Sequence, residues 1–337
     1  MLLSRLWKKC PPPDAAAGTP ERPHPPLLRQ STASVRELTD EPEMVTGDRL
    51  LLDGATGTEL NRRGVNTGLP LWSANALTTE MGLNVLRQIH LEYLTAGADV
   101  ITANTFRTHR RVLGGKGHTA RELTVRAVAT AREAVSEYGR PAQIAGSISP
   151  LEDCYRPDLV PTDDECHSEH SERIDHLVEA GVNVLLLETM NSIREAVIAA
   201  KLATITGRPT WVSFACDRKG RILSGETVAA AAAMLLPLGV TGLGVNCGPT
   251  DTLSKPLGEL RSACGPDFPL IAYGNVGYAD EIQGWINTDA IAPEGYVQHA
   301  QTWPVHIVGG CCGTTPEHIR TLRTAENVRR SGLPWRS

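Results

Sequence analysis

"VHIVGGCCGTTPEHIR", residues 305–320, contains the signals for one strand, one loop and one helix. The apolar run at its start is continuous rather than alternating, which is typical of a strand buried on both faces. Thr315 then takes the N-cap position and Pro316 the first helical position, which together predict a helix start. Between the strand and the helix stand two adjacent cysteines, Cys311 and Cys312. This unit of strand, loop and helix is the pattern that decides the fold.

The same unit recurs along the chain, because seven further apolar runs each precede a loop and a stretch with helical periodicity. The eight runs are "RLLLDG" (49–54), "ADVITANTF" (98–106), "AQIAGSIS" (142–149), "NVLLLET" (183–189), "TWVSFA" (210–215), "GLGVNCG" (242–248), "PLIAYGN" (269–275) and "VHIVGGCCG" (305–313). Helices are predicted from the amphipathic periodicity of segments 119–139, 171–181 and 315–323.

Strands that alternate with helices imply parallel strands joined by right-handed crossovers. Eight such units predict an α/β protein with a closed (β/α)8 TIM barrel. An open, doubly wound sheet is the alternative interpretation. The segment "DGATGTEL" after the first run lacks the G-x-G-x-x-G spacing of a dinucleotide-binding sheet, and this favours the barrel.

Composition limits the domain organisation and the partners. The 337 residues are 41% hydrophobic and 21% charged, which is typical of one large globular domain with a tail. Residues 1–45 are rich in proline and small polar residues and predict a disordered N-terminal arm, followed by a barrel domain over 46–330. A formal net charge of −5 and the lack of a basic stripe argue against nucleic acid as a partner.

The sequence also argues against a membrane partner. No run approaches the roughly 20 apolar residues that a membrane span needs. Near the start of the chain, Lys8, Lys9 and then prolines interrupt any signal-peptide core. We therefore expect a cytoplasmic protein.

Three cysteines are predicted to meet at one end of the barrel. The chain has eight cysteines without the dense, regular spacing of small secreted scaffolds, which favours reduced thiols with ligand or catalytic roles. Active sites of this fold lie at the C-terminal ends of the strands. Cys247 ends the sixth run, and Cys311 and Cys312 end the eighth. Three convergent thiols predict a metal site, and soft thiolate ligands with one open tetrahedral position favour Zn²⁺.

The charge of such a site indicates its chemistry. Zn²⁺ with three thiolates has a net charge of −1, so it acidifies water less well than a tris-histidine site. A bound thiol, by contrast, is deprotonated outright, whereas a free thiol with a pKa of about 8.5 is only a few per cent ionised at pH 7. The predicted reaction is the S-alkylation of a thiol substrate.

From about Leu50 to Arg323, the chain resembles the homocysteine S-methyltransferase family. The resemblance is carried, in order, by "LLDGATGTEL", "LWSANAL", "AGADVITANTF", "LLLETM", "GVNCG" and "GGCCGTTPEHI". It implies a zinc-dependent barrel that transfers a methyl group to the thiol of homocysteine to give methionine. The resemblance also implies that Cys247, Cys311 and Cys312 are the zinc thiolates and the catalytic cysteines.

The same resemblance assigns residues to the amino-acid part of the substrate. It implies that Asp53 and Glu188 bind the homocysteine ammonium and that the backbone of Gly54 lies near the substrate carboxylate. A carboxylate also seeks amide or hydroxyl donors, so Asn104 and Thr105 are further candidates for substrate binding.

A fourth metal ligand is a weaker expectation. The segment "YGNVGY" resembles the family's Tyr-Pro-Asn segment, with Gly274 in place of proline. This resemblance implies Asn275 as an additional zinc ligand when the site is empty.

The identity of the methyl donor depends on the loop after the third strand, residues 147–170. Family members that use a sulfonium donor have a Gly-Pro-Tyr-Gly-like stretch there, whereas this chain has "SPLEDCY". A cationic sulfonium, S-methylmethionine or S-adenosylmethionine, is nevertheless preferred, because Tyr155 and Trp72 offer aromatic faces to a positive centre. The loop is also acidic, through Glu152, Asp153, Asp158, Asp163, Asp164 and Glu165.

Three alternatives stay open at this point. The protein could work with a separate methyl-corrinoid protein as its partner, or it could be a non-catalytic relative that binds zinc and a thiol. The third alternative is a second metal cluster in the same loop, formed by Cys154, Cys166, His167 and His170. It is disfavoured because residues 168–180 have the periodicity of an ordinary helix.

Overall fold

Eight parallel strands form the centre of the structure, a computed structural model that describes residues 49–114, 117–280 and 284–331. Every apolar run predicted as a strand contains one. In chain order the strands are β1 (Leu50–Leu51), β2 (Val100–Ala103), β3 (Gln143–Ile148), β4 (Val184–Met190), β5 (Thr210–Phe214), β6 (Gly242–Pro249), β7 (Leu270–Asn275), β8 (Gly277–Asp280), β9 (Gly284–Asn287) and β10 (Ile307–Gly310). Strands β8 and β9 pair as an antiparallel hairpin outside the barrel, which the sequence analysis did not predict.

The barrel strands follow one another in the order β1-β10-β7-β6-β5-β4-β3-β2, and every neighbouring pair is parallel. A parallel bridge between Leu52 and Val100 joins β1 to β2 and completes the circle. The backbone N–H of Asp53 donates to the carbonyl of Val100 at 3.0 Å beside this bridge. The (β/α)8 barrel is therefore confirmed, and the open sheet is excluded.

Helices connect the strands on the outside of the barrel. In chain order they are α1 (Thr56–Arg62), α2 (Glu80–Ala96), α3 (Arg110–Leu113), α4 (Ala120–Tyr138), α5 (Asp163–Ala180), α6 (Ile193–Thr204), α7 (Val228–Leu235), α8 (Ser254–Cys264), α9 (Pro293–Gln301) and α10 (Pro316–Ser331). The predicted helices over 119–139 and 315–323 are confirmed.

One predicted helix start was wrong by several residues. The structure begins α5 at Asp163 rather than near residue 168, because Thr162 and Glu165 form a capping box. The Thr162 N–H donates to Glu165 Oε2 at 3.0 Å, and the Glu165 N–H donates back to Thr162 Oγ1 at 3.4 Å. This reciprocal pair satisfies two of the backbone N–H groups that a helix start leaves without partners.

Two apolar layers explain why the strands are hydrophobic along their whole length. The larger layer lies between the strands and the surrounding helices. The smaller layer fills the barrel interior and consists of Leu52, Val100, Ala145, Val184, Leu186, Trp211, Ile271, Tyr273 and Ile307. A barrel packed in this way is a solid core, so a ligand must bind above it, at the ends of the strands.

Two further expectations concern the N-terminal arm and membrane-spanning helices. The predicted disordered arm, residues 1–45, lies outside the described residues. Across the described helices, none is both long enough and apolar enough to cross a membrane.

Candidate active site

Three cysteine thiols converge at the C-terminal end of the barrel. Cys247 lies on β6, and Cys311 and Cys312 directly follow β10. Both strands are neighbours of β7, so the circle brings their ends together. The three sulfur atoms lie within 4.8 Å of one another, and Cys247 Sγ is 3.8 Å from Cys312 Sγ. Within the described ranges, this is the only group of three or more His, Cys, Asp or Glu side chains close enough to hold a metal ion.

The three thiols of this cluster affect one another's ionisation. Hydrogen bonds from Cys311 and Cys312 hold the pKa of Cys247 well below its usual range. The hydrogen bond to Cys247 in turn raises the pKa of Cys311 and of Cys312. Further thiolates can form only if a cation offsets their mutual repulsion. The donor set therefore fits a soft divalent cation.

Two β-bulges direct the functional side chains into the barrel mouth. The register of β4 against β5 shifts between Leu187 and Met190, and that of β6 against β7 shifts between Asn246 and Pro249. A bulge bends its strand and re-aims the side chains within it. The shifted segments contain Glu188 and Thr189 on β4 and Cys247 on β6.

Asn246 joins the two bulges through its side-chain amide. Its Oδ1 accepts from the backbone N–H of Thr189 at 2.9 Å and from Ser213 Oγ at 2.8 Å. Its Nδ2 donates to Thr189 Oγ1 at 2.8 Å. Asn246 is fully buried, so these bonds form in a medium where unpaired polar groups are costly.

Backbone strain is concentrated at the same place. In the described part of the chain, only three residues other than glycine have positive φ: Trp72 at 48°, Thr189 at 57° and Cys247 at 57°. All three line one cavity. Strained backbone of this kind costs of order 1–3 kcal/mol per residue and is found mainly at functional sites.

The cavity has a volume of about 130 Å³ and lies over the thiol cluster. Its lining includes Asp53, Gly54, Asn104, Glu188, Cys247, Cys311 and Cys312. Two other predicted site residues, Thr105 and Asn275, are buried but do not line it. Aromatic side chains, Trp72, Phe106 and Tyr155, form another part of the wall.

Asp53 is a buried carboxylate without a cationic partner among the described residues. Its Oδ2 accepts from the Thr102 N–H at 2.8 Å, and its Oδ1 accepts from Thr102 Oγ1 at 2.9 Å. Burial raises the pKa of Asp53 to about 7 in spite of these two bonds. A bound cation would restore its charge.

Glu188, which also lines the cavity, likewise accepts hydrogen bonds but has no cationic partner among the described residues. Its carboxylate accepts from Tyr273 Oη at 3.1 Å and from Ser147 Oγ. Burial raises the pKa of Glu188 to about 7 against these bonds. The negative charge of Glu188 also raises the pKa of Asp53, so the two carboxylates act on each other.

Gly54 occupies a position that only glycine fits. A Cβ atom there would lie 2.8 Å from Thr314 Oγ1 and 2.8 Å from the hydroxyl of Tyr93. Without a side chain, the backbone of Gly54 forms part of the cavity wall. Among the hydrogen bonds of the described residues, none gives the Gly54 N–H an acceptor.

The remaining predicted residues have structural partners. Asn104 Nδ2 donates to the carbonyl of Ser73 at 2.9 Å, and Thr105 Oγ1 donates to the carbonyl of Ser147 at 2.8 Å. Asn275 Oδ1 accepts from the Cys312 N–H at 3.0 Å. This oxygen, expected as an additional metal ligand, thus already holds the cysteine loop in place.

The structure does not assemble the second metal cluster that the sequence left open. His170 Nε2 lies 3.0 Å from Glu195 Oε1, and both side chains are fully buried. Cys166 Sγ is 3.7 Å from the carbonyl of Pro161. Cys154 lines the cavity instead. Cys154 lies before α5, whereas Cys166, His167 and His170 lie within its first turns, where successive side chains point in different directions.

The acidic residues of the loop after β3 do not line the cavity either. Glu152 and Glu165 pair with Arg111, and Asp163 pairs with Arg194. The expectation that this loop offers negative charge to a donor was therefore wrong. The loop reaches the cavity through Cys154 and Tyr155, and the Tyr155 hydroxyl lies 2.9 Å from Cys247 Sγ.

Sequence reasoning missed several residues that support the site. Thr102, Ser147 and Tyr273 hold the two carboxylates, and Arg107 lines the cavity. A signal for the first three was present, because polar residues inside apolar strands require partners at the barrel interior. Arg107 gave no such signal, since its position in a loop leaves its direction open.

Comparisons with known proteins agree with this geometry. The family model of homocysteine S-methyltransferase matches residues 50–325. Homocysteine S-methyltransferase YbgG of Bacillus subtilis is 33% identical over 299 residues, which cover 81% of this chain and 93% of that protein. Selenocysteine Se-methyltransferase of Brassica oleracea is 28% identical over 333 residues, covering 88% and 93%.

A solved structure agrees as well. Homocysteine methyltransferase MmuM of Escherichia coli, in its metallated form, superposes with a TM-score of 0.72 at 27% identity, covering 83% of this chain and 96% of that one. The fold, the family match and the relatives lead to the same result: the chain belongs to the homocysteine S-methyltransferase family.

Proposed function

We propose that this protein transfers a methyl group from a sulfonium donor to the thiol of homocysteine, with Zn²⁺ held by Cys247, Cys311 and Cys312. The observation that carries the proposal is one cavity in which three clustered thiols face two carboxylates that lack a cationic partner among the described residues. An amino acid with a thiol side chain matches both halves of that arrangement.

Three features of the thiol cluster support zinc as the metal. The ligands are soft, and they number three, which leaves a fourth tetrahedral position for a substrate. When bound, Zn²⁺ supplies a thiol that is deprotonated at neutral pH yet remains nucleophilic beside three electron-donating thiolates. Asn275 keeps Cys312 in position through the backbone, and its role as an additional ligand remains a prediction.

Asp53 and Glu188 are proposed to bind the homocysteine ammonium. A cation between them removes their mutual repulsion and favours the ionised form of each. Ser147 and Tyr273 already orient Glu188, and Thr102 orients Asp53, so little ordering is needed on binding. Binding energy is not lost to the immobilisation of these side chains.

The backbone N–H of Gly54 is proposed to bind the homocysteine carboxylate. It lines the cavity, and no described residue accepts its hydrogen bond. Asn104 lines the cavity next to it and is a second donor for the carboxylate. Thr105 supports the wall between β2 and β3, and direct contact with substrate is not proposed for it.

The transfer itself forms one bond and breaks another. The homocysteine sulfur bonds to the methyl carbon while the bond from that carbon to the donor sulfur breaks. The electron pair of the broken bond neutralises the sulfonium, which leaves as a thioether. Trp72, Phe106 and Tyr155 form the aromatic part of the wall, and aromatic faces attract a cationic centre. Because the cysteines must stay reduced, we place the protein in the cytoplasm.

An activity screen tests the proposal. The zinc-loaded protein is incubated with homocysteine and, separately, S-methylmethionine, S-adenosylmethionine, betaine or a methyl-corrinoid, and methionine is quantified by mass spectrometry. We expect methionine with S-methylmethionine or S-adenosylmethionine. Methionine formation with the methyl-corrinoid alone would contradict the sulfonium assignment, and no methionine with any donor would contradict the enzymatic function. Cys312→Ala should abolish turnover, and Cys264→Ala, outside the cluster, is the matched control.

A further inference from the structure

One cationic side chain, Arg107, lines the same cavity as the two carboxylates. Its Nε atom is buried without a hydrogen-bond partner. A guanidinium group has five N–H donors and no acceptor, and burying such a donor without a partner is costly. The position of Arg107 therefore calls for an anion that a ligand can supply.

The neighbouring arginines show a different arrangement. Arg110 pairs with Glu172, and Arg111 pairs with Glu152, Glu165 and Glu169. Arg107 has no such carboxylate partner in the described ranges, although it stands only three residues before Arg110. Two arginines of this segment, Arg110 and Arg111, thus pair with acidic residues of α5 and of the loop before it. The third, Arg107, lines the cavity.

One aromatic ring, paired with a second, lies beside this third cation. The Arg107 guanidinium carbon lies 5.9 Å from the centre of the Phe106 ring. The Phe106 ring meets the Trp72 ring edge to face, with centres 5.8 Å apart. Ser149 Oγ donates to the Phe106 carbonyl at 2.8 Å and fixes the backbone beside Arg107. The hydrogen bond of Ser149 and the aromatic contacts therefore fix the segment that carries the Arg107 cation.

Arg107 lines the cavity from the segment that follows β2. It follows the last residue of β2, Ala103, by four positions, whereas Glu188 is within β4. It is also close to the loop after β3, since its charge opposes the rise that burial causes in the pKa of Cys154. The next residue, Tyr155, contacts Cys247 of the thiol cluster. Arg107 and the thiol cluster thus line the same cavity, which a methyl donor must enter.

We propose that Arg107 binds the carboxylate of the methyl donor, so that the enzyme selects zwitterionic onium donors that carry a carboxylate together with the cationic methyl-bearing centre. This inference rests on the proposed function. A donor with only a positive charge would be repelled by the guanidinium, and a donor carboxylate converts that repulsion into a charge-assisted pair. The aromatic rings then attract the cationic methyl-bearing centre, and Arg107 binds the carboxylate of the same molecule.

The test compares two donors and two variants. The donors are S-methylmethionine and its carboxamide, which has the same sulfonium but no carboxylate. The variants are Arg107→Gln and, as a matched control on the same segment, Arg110→Gln. Each protein is loaded with zinc, and two quantities are measured: the KM of each substrate in steady-state assays, and the Kd of each donor by titration calorimetry without homocysteine.

We expect Arg107→Gln to raise the KM and the Kd of S-methylmethionine by about 10- to 100-fold, the range for a lost charged hydrogen bond. The same change should leave the KM of homocysteine within about twofold and should not weaken binding of the carboxamide. Arg110→Gln should leave all of these constants unchanged. Near-ultraviolet circular dichroism and zinc content establish that each variant is folded and loaded.

Three results would overturn the inference: an increase in the KM of homocysteine instead of the donor, an equal loss for both donors, or no change in either. Failure of wild-type protein to bind S-methylmethionine in the calorimeter would also overturn it. Wild-type binding that depends on Arg107, with no methionine formed, would support the inference and contradict the proposed function instead.

Discussion

Burial raises the pKa of both Asp53 and Glu188 to about 7 in the free protein, so neutral pH does not fully ionise either carboxyl group. Their hydrogen bonds are already made, from Thr102 to Asp53 and from Ser147 and Tyr273 to Glu188. What each carboxylate still lacks is a positive charge. An ammonium group between them supplies that charge. Because solvent screens a buried pair less, the ammonium stabilises these carboxylates more than it would stabilise an exposed one.

Replacing Glu188 with Gln tests the ammonium site directly. We expect Glu188→Gln to weaken homocysteine binding by about 1.5–3 kcal/mol, because one charged hydrogen bond becomes a neutral one. Zinc content should not change, because Glu188 is not one of the clustered thiols. Calorimetric titration with homocysteine and metal analysis on the same preparation measure both. Normal homocysteine affinity, or loss of the metal, would show that Glu188 has another role.

The raised pKa of Asp53 also predicts how stability depends on pH. In the unfolded chain its pKa returns to about 3.9, so between about pH 4 and pH 7 the folded protein binds the extra proton. Burial of Asp53 therefore costs more stability as pH rises through this window. Asn at this position cannot ionise, so the free energy of unfolding of Asp53→Asn relative to wild type should rise by about 2.5 kcal/mol from pH 5 to pH 8.

Urea denaturation at both pH values, with metal-free protein and no homocysteine, measures this difference. The control is Asp158→Asn, because Asp158 is exposed and pairs with Arg156 on the surface. A relative stability of Asp53→Asn that stays constant or falls with pH would contradict the burial of an unpaired carboxylate.

Among the elements, the two bulged strands determine where the chemistry is placed. The bulges in β4 and β6 aim Glu188 and Cys247 into the mouth, and Asn246 holds the bulges together with three hydrogen bonds. A regular strand would alternate its side chains and place neighbouring functional residues on opposite faces. The bulges are therefore part of the active site although Asn246 does not line the cavity.

Asn246→Ala should destabilise the protein by about 2–4 kcal/mol, because it leaves the buried N–H of Thr189 without an acceptor and opens a void. It should also weaken zinc and homocysteine binding, since both bulges relax. Asn61→Ala is the control, because Asn61 is exposed and makes one side-chain hydrogen bond, to Thr67. Denaturant midpoints and zinc titrations of the two variants measure these effects. Equal losses of stability and zinc affinity in both variants would contradict the role of the bulges.

The strands and loops also show which features of the fold and of the site the sequence alone could predict. The eight strands follow from continuous apolar runs, and residues at their ends, such as Asp53 and Cys247, follow from the rule that barrel active sites lie there. Bulges could not be predicted, because they depend on the register between strands rather than on residue type. The sequence also could not predict that Arg107 lines the cavity or that the acidic loop residues pair with arginines instead. The direction of a loop side chain depends on neighbours that are distant in the sequence.

For the whole molecule, barrel closure is what assembles the thiol cluster. Cys247 and Cys312 are 65 positions apart, and they meet because β6 and β10 both flank β7. A metal bound between them links distant parts of the barrel and binds the folded state alone, so it stabilises that state by mass action.

We therefore expect close to one zinc per chain and a higher melting temperature when zinc is present. Zinc at 100 times its Kd contributes about 2.7 kcal/mol, which corresponds to a rise of roughly 5 °C for a domain of this size. The double variant Cys311→Ala, Cys312→Ala should lose both the metal and the shift. Full zinc retention in that variant would place the metal elsewhere.

The central claim is that the three cysteines hold one zinc with a position left for the homocysteine thiol. X-ray absorption at the zinc edge, recorded with and without homocysteine, tests it most directly. We predict three sulfur neighbours at about 2.3 Å in the free protein and four after homocysteine is added. A sulfur count that stays unchanged on adding saturating homocysteine, or that is below three before it, would contradict the claim.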